Sequence, residues 1–319
     1  MRTPLTEMLG IARPLLLAPM GNVSGGALSA AVSNAGGLGL IGGGYGDPDW
    51  LRRELDAAGD ARVGVGFITW ALEEAPGVLD IALERGPAAV MLSFGDFTPF
   101  VDRIHDAGAR LICQIQTLQQ AKQAVDGGAD VIVAQGTEAG GHGGGRGTFA
   151  LVPAVADAVA PVPVVAAGGI ADGRGLAAAL TLGAAGVLVG TAFYAAEESL
   201  APEAGKQAVA RGGGDDTVRT TIFDIVRGYD WPSPYTGRAL VNDFVRRWHG
   251  REQDLKAQLA DEQVRYARAA ASGDADTAVV FAGEAMDLIQ GVRRAGDIVR
   301  AMAGEAERLL RDGPQMLQT

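Results

Sequence analysis

Residues 163–193 read PVVAAGGIADGRGLAAALTLGAAGVLVGTAF. Two nearly unbroken apolar runs, PVVAAG at 163–168 and GVLVGT at 186–191, flank GRGLAAALTLGA, whose apolar residues recur at helical spacing and which ends near Gly183. A strand covered on both faces shows no polar alternation, so each run reads as a strand in a sheet packed under helices. Glycine is a natural helix stop. The stretch is therefore a strand, a helix and a second strand parallel to the first.

The same unit recurs toward the N-terminus. Further apolar runs stand at LLLAP (15–19), GLGLIG (37–42), VGVGFI (63–68), AAVMLS (88–93), LICQI (111–115) and DVIVAQ (130–135). Amphipathic stretches such as DWLRRELDAAG, PFVDRIHDAGA and LQQAKQAVDGGA lie between them. Alternation of this kind has two main solutions, an open doubly wound sheet or a closed barrel. The open sheet needs edges, and no charged or proline-marked edge strand stands out. Eight units predict an α/β fold of the (β/α)8 TIM-barrel class. The glycine-rich GGLGLIGGG at 36–44 lacks the strand, turn and helix order of a dinucleotide fingerprint.

The chain has 319 residues, 48% of them hydrophobic, enough for one large core with an appendage. Asp and Glu number 38 against 27 Lys and Arg, a net charge of -11, which opposes general attraction to nucleic acid or an anionic membrane. Cys113 is the single cysteine and can form no intrachain disulfide. The opening MRTPLTEMLG lacks the pattern of an export signal, and the apolar runs are far shorter than a membrane span. The expected location is the cytoplasm, with no membrane and no nucleic-acid partner.

In a barrel of this class the loops after the seventh and eighth strands commonly hold phosphate through backbone N–H groups. Gly168, Gly169, Gly190 and Thr191 stand at those positions: the glycines admit close approach of an anion, and the threonine adds a hydroxyl. After the sixth strand comes VIVAQGTEAGGHGGGRG (131–147), which sets His142 among glycines. At a barrel mouth such a histidine can take a proton from carbon or stabilise developing charge, and the glycines let its loop lie against a flat cofactor. Gln135, at the mouth of the same strand, offers amide donors and an acceptor to a cofactor. Glu138 reads as structural. Cys113, in an apolar strand, reads as a small buried side chain. His105 falls on a helix face and His249 in the appendage, so the histidines form no metal-ligand pattern and no metal is expected. No lysine stands at a strand end, Lys122 and Lys206 falling in helices, which disfavours Schiff-base chemistry.

The ordered set LLLAPM (15–20), NAGGLGLIG (34–42), AQGTEAGGHGG (134–144), VVAAGGIADGRG (164–175) and LVGTAF (188–193) resembles the nitronate monooxygenase family, formerly the 2-nitropropane dioxygenases, over nearly the whole barrel. The resemblance implies an FMN-dependent barrel that oxidises alkyl nitronates with dioxygen to carbonyl compounds and nitrite, without a metal. It implies that His142 is the active-site histidine, that Met20 and Gly21 lie beside the flavin with Gln135 and Gly140 around it, and that Gly169, Gly190 and Thr191 meet its phosphate. A nitronate is already deprotonated, so His142 would position the anion, or take a proton from a neutral nitroalkane. One departure stands in VGVGFITW (63–70), where Gly66 and Phe67 occur near the place of a family asparagine. The related flavin-dependent enoyl-acyl-carrier-protein reductases share a similar EAGGH segment, so a nicotinamide-driven enoyl or quinone reductase is the alternative enzyme. A flavin- or phosphate-binding protein without catalysis is the alternative outside enzymes.

After Phe193 the regular interval breaks. The expected division is a flavin-binding barrel over 1–200, a smaller, mostly helical, substrate-side unit over 201–282, and a C-terminal segment over 283–319 that returns to complete the barrel. Trp231, Tyr235, Phe244 and Trp248 read first as packing residues, with substrate contact as the other role. Arg238 and Arg246 read equally as anion-attracting or as surface residues. Gly283 and Met286 are further candidates for the flavin face. The last helix can cover the barrel or another subunit, which leaves a homodimer open.

Overall fold

The computed structural model describes residues 1–313; residues 314–319, the end of the expected C-terminal segment, lie outside the described residues. The barrel strands follow the apolar runs: β1 (Leu15–Leu17), β2 (Leu40–Gly44), β3 (Gly64–Ile68), β4 (Ala89–Ser93), β5 (Arg110–Ile115) and β6 (Val131–Gln135). A short strand β7 (Gly141–Gly143) then joins another sheet, and β8 (Val164–Ala167) and β9 (Gly186–Val189) finish the series. All eight barrel strands pair in parallel in the order β1-β9-β8-β6-β5-β4-β3-β2. The ring closes at Leu16 and Leu38, where Leu17 N–H donates to Leu38 O at 3.0 Å and Leu38 N–H to Leu15 O at 3.0 Å.

Successive strand residues point to opposite faces, and here both faces are apolar. Leu16, Leu40, Met91, Ile112, Val131, Val133, Val165 and Leu188 pack inside the barrel, while Leu15, Leu17, Val65, Val90, Leu111, Ile132 and Val187 pack under the helices. This double burial is why the runs show no alternation. Leu5 and Leu9 of the N-terminal helix Pro4–Leu9 join the inner cluster, so that helix plugs one end of the barrel. Cys113 lies in the outer cluster, and burial pushes its thiol up to about 12. It is a packing residue, as its strand context implied.

The last barrel strand is followed by a helix of only 4 residues, Thr191–Tyr194. The chain leaves the barrel at Ala196 and comes back beside it at Arg293, where the two form a parallel bridge and Glu197 N–H donates to Arg293 O at 2.9 Å. The helix Ala295–Asp312 then lies against the helices Gly173–Thr181 and Gly26–Asn34, burying Ile298, Val299, Met302, Ala303 and Ala306. The terminal helix thus lies over the barrel.

The intervening chain is largely helical, but it also carries β10 (Thr217–Thr220) and β11 (Thr236–Leu240), which the sequence reading did not anticipate. Together with β7 they form an antiparallel sheet in the order β10-β11-β7. This ribbon ties the inserted chain to the glycine-rich loop after β6.

Candidate active site

The loop ends of the barrel strands and the inserted chain enclose a cavity of about 240 Å³. Met20, Gly21, Gln135, Gly140, His142, Gly168, Gly169, Gly190 and Thr191 all line it. Residues singled out across 171 positions of sequence (191 − 20) are therefore brought to one place.

His142 is not on a free loop. It is the centre of β7, where it registers opposite Gly237 of β11. A Cβ at Gly237 would stand 2.8 Å from the Phe281 ring and 3.5 Å from His142 Nε2, so glycine leaves space for both rings. The back of this strand is held by Gln135, whose Nε2 donates to His142 O at 3.0 Å while its Oε1 accepts from Gln116 Nε2 at 2.8 Å. The Gln135 amide, expected to serve a cofactor, is thus engaged in fixing the histidine strand. Arg219 donates to Thr236 O at 2.7 Å and to Thr137 O at 2.9 Å, and Arg238 donates to Thr137 O at 3.0 Å. Burial first, and then the neighbouring Arg238, bring the Arg219 guanidinium down to about 10.

The His142 side chain is 6% exposed and its Nε2 lies 2.9 and 3.0 Å from the two carboxylate oxygens of Asp224. Asp224 is itself buried. Such an acceptor places the imidazole proton on Nε2 and leaves Nδ1 as the proton-accepting nitrogen. Burial pulls the His142 pKa below its ordinary value, and the Asp224 hydrogen bond and charge oppose that shift. Desolvation dominates, so the ring is neutral at neutral pH. Trp231 stacks on it face to face, with ring centroids 3.4 Å apart.

At the other end of the cavity, Gly168 and Gly169 adopt φ of +99° and +71°, in the left-handed region that glycine populates freely. Among the described residues the N–H groups of Gly169 and Gly190 make no hydrogen bond. Thr191 Oγ1 accepts from Gly283 N–H at 3.0 Å, which draws the returning chain onto this end. Gly140 and Gly283 are glycines for a packing reason: a Cβ on Gly140 would lie 2.7 Å from Ala282 C, and one on Gly283 would lie 2.5 Å from Glu138 O. Glu138 accepts from Thr148 N–H at 3.0 Å and from its hydroxyl at 2.8 Å, capping the helix Thr148–Val159, so its role is structural.

Other candidates divide. Gly283 lines the cavity, whereas Met286 is buried in the cluster behind it with Tyr194 and Val209. Phe244 and Trp248 are core residues of the inserted unit, and Trp231 faces the cavity. Arg246 is exposed and paired with Asp243, while Arg238 is buried against Glu284 at 2.7 Å and does not reach the cavity. Gly66 has no room for an amide: a Cβ there would stand 2.3 Å from the Pro19 ring, which fills the space. Sequence reasoning missed Asp224 and Arg227, both on the helix Ile222–Arg227, and Gln114 and Tyr45 on the cavity wall. IFDIVR carries only a partial signal: two charged residues three apart share one face of an otherwise apolar helix, with nothing to say what they face.

The family model for nitronate monooxygenase matches residues 2–62 and 70–305. The chain is 36% identical to nitronate monooxygenase npaC of Metarhizium robertsii, with 93% of this chain and 92% of that protein covered. Among solved structures it is similar to FabK from Thermotoga maritima, with a TM-score of 0.88, 31% identity and 99% of each chain covered. It is also similar to the nitroalkane oxidase of Streptomyces ansochromogenes, with a TM-score of 0.83, 29% identity and 97% and 99% of the two chains covered. Barrel, cavity and sequence agree: the chain belongs to the nitronate monooxygenase family of flavin-dependent oxidoreductases.

Proposed function

We propose that the protein binds FMN in this cavity and oxidises alkyl nitronates with dioxygen, releasing a carbonyl compound and nitrite. The observation that carries the reading is the pairing of a neutral, Asp224-oriented His142 with a glycine-lined end, in a single cavity. The residues fit the cofactor. Gly168 and Gly169 after β8, with Gly190 and Thr191 after β9, would hold the phosphate through N–H groups and a hydroxyl. Met20, Gly21 and Gly140 would lie along the flat ring system, and Gln114 offers an amide that Gln135, busy with β7, does not. When bound, FMN supplies the two-electron acceptor and the reaction with dioxygen.

The protein's own part is positional and acid-base. Asp224 fixes the His142 proton on Nε2, and the bare Nδ1 takes the α-proton when a neutral nitroalkane is the substrate. With a nitronate no proton needs to leave carbon, and the His142 ring then serves only to place the substrate carbon. Trp231 and Phe281 cover His142 and exclude water from it. The chain over 201–282 forms the substrate side, since it supplies Asp224, Arg227, Trp231 and Phe281.

The test is the visible spectrum of purified protein, without oxygen, before and after propyl-2-nitronate. Loss of the flavin band near roughly 450 nm, followed by nitrite release when oxygen is admitted, is the expected result. A band that persists with nitronate but bleaches with reduced nicotinamide moves the assignment to a reductase. Failure to retain or rebind FMN overturns the cofactor reading.

A further inference from the structure

One charge in the cavity has no counterpart in the chemistry above. Arg227 is the last residue of the helix that carries Asp224, and it lines the cavity beside His142. Its Nη1 is buried and has no hydrogen-bond partner, and among the described residues the guanidinium makes no ion pair. Buried donors are almost always satisfied, and an arginine left over in a closed site is costly.

What surrounds Arg227 explains how it is tolerated. Its Cζ stands 4.7 Å from the centroid of Tyr229, 5.7 Å from Tyr45 and 5.9 Å from Phe281. Aromatic faces stabilise the cation without taking its N–H groups, so Nη1 keeps a donor with no partner. Tyr45 and Tyr229 are themselves stacked at 3.9 Å, which fixes this wall. A guanidinium presents parallel N–H groups that match a planar oxyanion with two oxygens. Nitronate and carboxylate groups share that shape.

Resting on the nitronate reading above, we infer that Arg227 is the residue that selects anionic substrates: it binds the planar oxyanion of the substrate in a fork, while His142 faces the adjoining carbon. The enzyme then takes the nitronate in preference to the neutral nitroalkane. The shared chemistry is a two-oxygen anion, whether it is the nitronate itself or a carboxylate elsewhere on the substrate.

The experiment separates this from turnover. Isobutyrate, a carboxylate with the shape of propyl-2-nitronate, and its neutral amide are titrated calorimetrically into the FMN-loaded protein, its Arg227→Met variant and its Arg227→Lys variant. Isobutyrate should bind the parent about tenfold or more tightly than isobutyramide, lose that advantage in Arg227→Met, and recover part of it in Arg227→Lys. In steady state, Arg227→Met should raise KM for propyl-2-nitronate and leave KM for neutral 2-nitropropane little changed, whereas a rise for both marks a structural role. Equal binding of isobutyrate and isobutyramide by the parent, or undiminished isobutyrate binding by a folded Arg227→Met protein, overturns the inference. Tight, Arg227-dependent isobutyrate binding in a protein that oxidises no nitronate would leave Arg227 as the anion site and remove the nitronate reading. An isobutyrate that binds weakly, though still more tightly than isobutyramide, while the Arg227→Met KM for propyl-2-nitronate rises alone assigns the fork to the nitronate oxygens.

Discussion

At His142 two effects compete, and the outcome fixes its behaviour with pH. Burial lowers its pKa from 6.5, and the Asp224 carboxylate only partly restores it. The folded protein therefore takes up this proton at lower pH than the unfolded chain does. The contribution to stability is fully present above about pH 6.5, is lost as pH falls below that value, and stops changing beneath the lowered folded pKa. Urea unfolding of His142→Gln across this window should give a flatter dependence of stability on pH than the parent shows. Asp224→Asn removes the acceptor that sets the tautomer, and should slow nitroalkane turnover by about a hundredfold while FMN is retained; an unchanged rate would leave Asp224 a packing residue. Gly169→Val is the complementary test at the other end. Space exists for its Cβ, which would meet only Glu138 at 3.4 Å, but φ of +71° and the loss of close approach should mainly weaken FMN retention, read by ultrafiltration.

Among elements, the three-stranded sheet is the piece that makes the site. β7 is too short to hold His142 by itself, and it gains its partner only from β11, 95 residues later in the chain at the His142 pair (237 − 142). Arg219 joins both strands and the Thr137 turn through partly buried backbone acceptors. Arg219→Met should cost about 1–3 kcal/mol, because several carbonyls lose a charged donor, and should lower kcat alongside stability. Thermal unfolding and turnover measured on the same preparation check whether the two fall together. These strands escaped the sequence reading because TVRT and TGRAL are short and broken by polar residues, and their pairing is non-local. The eight barrel strands were legible because burial on both faces makes each a compact apolar run.

At the scale of the whole molecule, the barrel is completed by a helix that the chain reaches only after building the cavity roof. Met302 on that helix is 2% exposed and sits in the outer core, far from the lining of the cavity. Met302→Ala should destabilise the fold by about 2–5 kcal/mol, seen as an earlier thermal transition, with KM for the nitronate unchanged. The residues that line the glycine end and the histidine strand were readable because their types and order are local: a strand, a glycine turn and a helix start recur at fixed places along the chain. Asp224, Arg227 and the stacking of Trp231 on His142 were not, because 82 residues separate Asp224 from its histidine and nothing in IFDIVR states which loop it will meet. Sequence by itself determined the barrel, through where apolar surface must be buried, and the Gly168, Gly169, Gly190 and Thr191 end of the cavity, through glycine at the strand ends, while Met20, Gly21 and Gly140 came from the family resemblance. Tertiary structure alone decided the histidine's tautomer and the charge beside it, since both depend on how the inserted chain folds back over the barrel mouth and removes those groups from water.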